Sequence, residues 1–253
     1  YCTSGNWYAW DGRRWVKDET GEVHRFAKGV VDTMLAQAPH MRREADASGD
    51  DESIEAAKAF ERHALRSGDH ARIKAMIAEC ASEPGVPVVY SAMDSTDWMF
   101  CCENGTVDLR TGELRPHDRG DLITKISDVP YDPEATCPTW ERFLSDVFKG
   151  DEELIRFLQL AVGYTMTGDT REQMFFVLHG CGSNGKSTFI TVLREILGEY
   201  HQKTSTDTLI EKKNSGPSND VAALRGARYV SAIETSAGKR LAEALVKELT
   251  GQD

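Results

Sequence analysis

Gly180-Cys181-Gly182-Ser183-Asn184-Gly185-Lys186-Ser187 fits the pattern G-x-x-x-x-G-K-[ST], in which backbone amides and a lysine cradle phosphate groups. About one chain in 100 of this length would carry the pattern by chance from average residue frequencies, so its surroundings decide. Upstream, Met174 to His179 (MFFVLH) is a short continuous apolar run of the kind expected for a buried parallel strand. Downstream, Phe189, Ile190, Leu193, Ile196 and Leu197 recur at helical spacing within Ser187 to Leu197, and Gly198 follows as a stop. Strand, glycine-rich loop and helix in that order aim loop amides and a helix N-terminus at one anion. The sequence therefore predicts a nucleotide triphosphatase.

Each position has a chemical task in that reading. Gly180, Gly182, Ser183, Asn184 and Gly185 form the cradle, and Gly182 and Gly185 let the main chain approach the phosphates. Lys186 supplies a point charge for the β- and γ-phosphates, and the Ser187 hydroxyl is the expected Mg²⁺ ligand. Thr188 either adds to the site or bonds its own helix backbone. Cys181 is loop filler, or a thiol whose oxidation crowds the nucleotide. Phosphoryl transfer also needs an acid on a neighbouring strand. Arg228 to Glu234 (RYVSAIE) reads as a second apolar strand ending in a carboxylate, so Glu234 is the expected catalytic acid and second metal ligand.

GCGSNGKST, SNDVAALRGARYVSAIET and LAEALVKELTGQD together resemble the superfamily 3 helicases of phage and plasmid primase-helicases and the poxvirus primase-helicase. The likeness continues upstream through ENGTVDLRTGELRPHD, YDPEATCPTWERFL and FLQLAVGYTMTGDTREQMFFVLHG, and it is looser over residues 1 to 89. The resemblance implies an ATP-driven DNA helicase of a mobile element, a hexameric ring that translocates on single-stranded DNA and unwinds forked DNA during replication. It places Lys186 and Ser187 at nucleotide-contacting positions and Glu234 at the Walker B acid. It also implies that the chain is cut within its ATPase domain, before the sensor asparagine and the arginine that reaches a neighbouring subunit, and that a primase domain belongs upstream. The expected location is cytoplasmic, in the host cell if the element is a phage.

Other positions stay open between two readings. Asn219 and Asp220 fit either a helix cap or a functional contact, Arg225 and Arg228 either phosphate contacts across a subunit boundary or structural pairing, and Lys247 either DNA or the end of its own helix. Trp7, Tyr8, Trp10 and Trp15 read as an aromatic hairpin around an Asp11-Gly12 turn, able to stack on bases or to form a packed core.

Charge is uneven along the chain. Residues 1 to 173 hold 20 Lys and Arg against 32 Asp and Glu, whereas residues 174 to 253 hold 10 against 9. Such a field disfavours non-specific DNA binding by the N-terminal part, so any strand contact must be local, as in a pore. The cysteines show no C-x-x-C spacing, and a zinc site at Cys101, Cys102 and His117 is not expected because adjacent strand residues face opposite ways. Neither a signal-peptide pattern nor a long apolar span is read in these residues, and none is expected.

The expected fold is an α/β P-loop NTPase, AAA+-like and incomplete, preceded by a mainly helical α+β domain. Residues 1–89 hold the hairpin and helices over 22 to 45, 51 to 66 and 69 to 81. Residues 90–170 hold strands at Trp98 to Cys102 and Thr106 to Leu109 and helices at Trp140 to Phe148 and Glu152 to Thr167. Residues 171–253 begin the ATPase. Three function classes compete: a DNA-stimulated motor, a nucleotide-gated assembly or DNA-binding module with little hydrolysis, and a small-molecule kinase. The absence of an arginine-rich lid counts against the kinase.

Overall fold

The computed structural model describes residues 1–205, 208–210, 223–233 and 240–251. It divides into two compact units, Tyr1–Asp11 with Trp15–Met93, and Gly12–Arg14 with Asp94–Asp253.

In the first unit, β1 (Tyr8–Trp10) and β2 (Trp15–Lys17) pair antiparallel, Ala9 opposite Val16. Three helices follow: α1 (Glu22–Ser48), α2 (Asp51–Ser67) and α3 (His70–Cys80). Asp18 starts α1 from outside it, its carboxylate accepting the amides of Glu22 at 2.7 Å and Val23 at 2.9 Å. The α1–α2 reversal is local chemistry as well: Gly49 closes α1 in the left-handed region, and Asp50 caps α2 by accepting the Ser53 amide. The buried residues of α1 are Ala27, Val31, Ala38 and Ala45, and those of α2 are Ala57 and Ala64. Seven-residue steps of alanine along both helices leave little side chain between the two backbones, so they can approach closely. Ile73 and Ile77 of α3 bury against Ala27, with Trp7 packed on the same cluster. Trp10 and Trp15 meet edge to face at 5.8 Å. Trp7 is thus part of a core cluster, and Trp10 and Trp15 contact each other across the hairpin.

The second unit is built on an antiparallel meander, β3 (Met99–Cys102), β4 (Gly105–Asp108) and β5 (Glu113–Arg115). The helices α4 (Pro138–Val147), α5 (Glu152–Thr167) and α6 (Lys186–Leu197) come next. β6 (His201–Ser205) and β7 (Tyr229–Ile233) then pair in parallel, His201 opposite Tyr229, and α7 (Glu243–Leu249) closes the described chain. Phe100, Cys101, Cys102 and Val107 of the meander share one core with Ile123, Ile126, Leu197 and Tyr200. The C-terminal end of α6 is thereby anchored in the meander core.

The fold shown is mixed α+β, mostly helical with small sheets, and a P-loop ATPase sheet is not evident among the described residues. The strand expected at Met174 to His179 does not form: no residue there pairs in a ladder among the described residues, and Phe175, Phe176 and Val177 are 54%, 43% and 73% exposed. The reason is physical. A parallel strand is stable when neighbours satisfy its edges and helices cover its faces, and the β6–β7 pair supplies neither to this segment. The polar strand β6 was not expected, since HQKTS carries no apolar alternation.

Candidate functional site

Lys186 organises the glycine-rich loop. Its ammonium donates to the carbonyls of Gly180 at 2.9 Å and Cys181 at 3.3 Å and to Asn184 Oδ1 at 2.6 Å. The side chain therefore folds back over the loop it follows, and loop and lysine form one hydrogen-bonded ring. Gly185 is the N-cap of α6 with φ 82° and ψ −6°, and it offers no side chain to the helix's first amides. The N–H groups of Lys186, Ser187 and Thr188 precede the first intrahelical bond, which runs from Phe189 N to Gly185 O at 2.9 Å. Amides in that position, with the positive end of the helix dipole, favour an anion. Ser187 and Thr188 are exposed on this first turn, beside the loop.

The loop is held from below by α4. A Cβ built on Gly185 would lie 2.7 Å from Val147 Cγ2 and 3.1 Å from the Phe143 ring, so only glycine fits there on both conformational and steric grounds. Trp140 stacks on Phe143 at 5.2 Å and on Phe189 at 5.7 Å, tying α4 to the first turn of α6. The sequence places a helix over Trp140 to Phe148 but does not say what it packs against. At the far end, Ser127 Oγ donates to Ile196 O at 2.6 Å, and Tyr200 is fully buried, stacked on Phe100 at 4.5 Å. Both ends of the loop helix are thus fastened to the scaffold.

Arg228 has a structural role. Its guanidinium donates to Met166 O at 2.7 Å, Thr96 O at 3.0 Å and Met99 O at 2.7 Å, and lies 4.7 Å from the centre of the Tyr200 ring. Burial pulls its pKa below the usual arginine range, while burial pushes that of Tyr200 up and the neighbouring Arg228 charge counteracts it. This cluster locks the start of β7 to α5 and β3, and it answers the open reading of Arg228 in favour of structure. Arg225 and Lys247 are exposed. Lys247 lines a groove with Gln173, Phe175, Leu241 and Val246.

β7 runs parallel to β6 as far as Ile233; Glu234, like Asn219 and Asp220, lies outside the described residues. No group of three or more His, Cys, Asp or Glu able to hold a metal occurs among the described residues. Cys101 and Cys102 are both buried, and burial raises the Cys102 thiol pKa to about 11, so it stays protonated and inert. No helix among the described residues is long and apolar enough to cross a membrane.

Residues 1–149 match the family described as D5 N terminal like. Over 263 aligned residues the chain is 22% identical to "Putative helicase L207/L206" of Acanthamoeba polyphaga mimivirus, covering 99% of this chain and 27% of that protein. It is 26% identical over 188 residues to "Putative helicase 022R" of Frog virus 3 (isolate Goorha), covering 73% of this chain and 16% of that protein. It is 24% identical over 175 residues to "Putative helicase 184R" of Invertebrate iridescent virus 6, covering 66% and 18%. The relation to these viral proteins is distant, and the chain spans 27% or less of their lengths. At 99% coverage, the mimivirus alignment runs beyond residue 149 and through the glycine-rich loop.

Proposed function

The chain belongs to the D5 N terminal like family, and from that premise we propose that it carries the nucleotide-binding part of an ATP-dependent DNA helicase. In this reading ATP sits at residues 180–188, and its hydrolysis drives translocation on single-stranded DNA by a ring of subunits, during replication of a viral or other mobile element. The observation that carries it is the loop itself: a lysine ammonium gathered by Gly180 O, Cys181 O and Asn184 Oδ1 at the mouth of a helix whose first amides have no intrahelical acceptor.

The chemistry follows from those groups. The amides of the loop and of Lys186 to Thr188 bind phosphate oxygens, and the Lys186 ammonium neutralises charge between the β- and γ-phosphates. Ser187 and Glu234 would hold a magnesium ion, which when bound neutralises phosphate charge. Glu234 also takes the proton of the attacking water. The helical platform of α4 under Gly185 keeps the cradle in place, so that donors need not rearrange as charge builds up.

Hydrolysis of ATP by the protein, with and without single-stranded DNA, tests the proposal. Stimulation by DNA that vanishes in Lys186→Ala is the expected result, and Glu234→Gln is expected to keep nucleotide binding while losing turnover. Wild-type turnover in Glu234→Gln removes that residue from the base role. A second reading, a nucleotide-gated assembly module, draws support from the exposed apolar run at Phe175 to Val177, with Phe176 against Phe157 of α5. Nucleotide-dependent association with DNA-independent or absent hydrolysis would favour it.

A further inference from the structure

Asn184 occupies a position that the phosphate-binding pattern leaves variable, yet it makes the shortest of the three bonds to Lys186, 2.6 Å against 2.9 and 3.3 Å. Its amide also spans the loop: a Cβ built on Gly180, whose φ is 152°, would fall 2.2 Å from Asn184 Nδ2. The side chain thus reaches from the last residues of the loop to its first, and Gly180 leaves the room for it. An ammonium has three N–H donors, and here three protein acceptors face them. A phosphate oxygen can reach Lys186 only by displacing one. Two of the three are main-chain carbonyls fixed in the loop, whereas the Asn184 amide turns on its own side-chain bonds.

We propose that Asn184 is a positioning residue that competes with phosphate for the Lys186 ammonium, holding it over the loop until a phosphate oxygen takes its place. The inference rests on the phosphate-loop reading and deepens it. A neutral amide oxygen is a weaker partner for an ammonium than an anionic phosphate oxygen. The competition therefore tempers nucleotide affinity without abolishing it, and it returns the lysine to the loop when product leaves.

The test has two arms on the same chain. In the first, binding of MgADP is measured by calorimetry for the wild type, Asn184→Ala, Asn184→Asp and Lys186→Ala. Removing the competitor in Asn184→Ala tightens MgADP by roughly two- to tenfold, the range carried by one hydrogen bond. Asn184→Asp weakens binding, because a carboxylate both pairs with the ammonium and repels phosphate. Weaker binding in Asn184→Ala overturns the proposal, since a merely structural lesion or a direct contact with nucleotide acts in that direction. In the second arm, without nucleotide, the ¹⁵Nζ signal of Lys186 is recorded by NMR. It is expected to be visible through slowed exchange in the wild type and lost in Asn184→Ala. An unchanged signal in Asn184→Ala shows that the contact is not made, which also overturns the proposal. Failure of the wild type to bind MgADP at all, with the NMR contact intact, sinks the phosphate-loop reading and takes the competition with it.

Discussion

At the scale of single residues, the loop depends on positions whose neighbours admit no alternative. Gly185 combines a left-handed backbone with contact to Val147 and Phe143, so Gly185→Ala brings strain and overpacking together. Destabilisation by about 1–3 kcal/mol in urea unfolding is expected, with loss of nucleotide binding. Arg228 is the second such residue. Its three carbonyl partners lie in two segments distant from it in sequence, one with Thr96 and Met99 and one with Met166, and Arg228→Ala removes a donor from each, while Thr96 O keeps only a 3.4 Å bond from the Met99 amide. The expected cost is at least about 3 kcal/mol, and Arg228→Lys is expected to rescue little, because an ammonium cannot reproduce the planar fork or its stacking on Tyr200. His201, which shares a 2.8 Å hydrogen bond with Ser231, carries a pH signature. Burial, helped by the nearby Arg194 charge, lowers its pKa from the usual value of 6.5. The unfolded chain then binds more protons than the folded one just below that value, so stability falls as the pH drops through about 6.5. His201→Gln is expected to flatten this slope in thermal unfolding scans across pH 5 to 7.5, about the range over which histidine titrates.

At the scale of elements, short-range chemistry explains where the helices begin. Asp18 caps α1 through the amides of Glu22 and Val23; burial opposes ionisation of its carboxyl, but those amides and those of Gly21 and Thr20 hold its pKa below the ordinary range. Asp18→Ala is expected to cost about 1 kcal/mol at neutral pH. That contribution is present above about pH 4 and disappears as the carboxylate protonates through its lowered pKa, so wild type and variant converge in acid. Within α1, Pro39 interrupts the ladder of backbone hydrogen bonds on an exposed face next to the buried Ala38. The alanine seam of α1 and α2 carries the helix past this defect, an override of local propensity by tertiary packing.

At the scale of the whole molecule, the apolar surface is the informative property. Leu160 is 62% and Val177 73% exposed, and Phe157 meets Phe176 edge to face at 6.3 Å. In the assembly module proposed above, this surface makes the contact between subunits. Leu160→Lys with Val177→Lys is expected to leave the melting temperature nearly unchanged, because both side chains are mostly in water, and, under the proposed assembly of subunits, to lower the sedimentation coefficient below that measured for the wild type. The sequence by itself determined what depends on near neighbours in the chain. It placed helices over 51 to 66 and Glu152 to Thr167, close to α2 and α5, and picked out the loop from Gly180 to Ser187. Only the tertiary structure decided the rest. It paired the polar β6 with β7, buried Arg228, set α4 beneath Gly185, and left MFFVLH exposed. Caps, turns and helical periods involve residues a few positions apart, so the chain states them directly. Strand pairing and burial are contracts between distant segments, and an apolar run records its need for a partner without saying whether one is within reach.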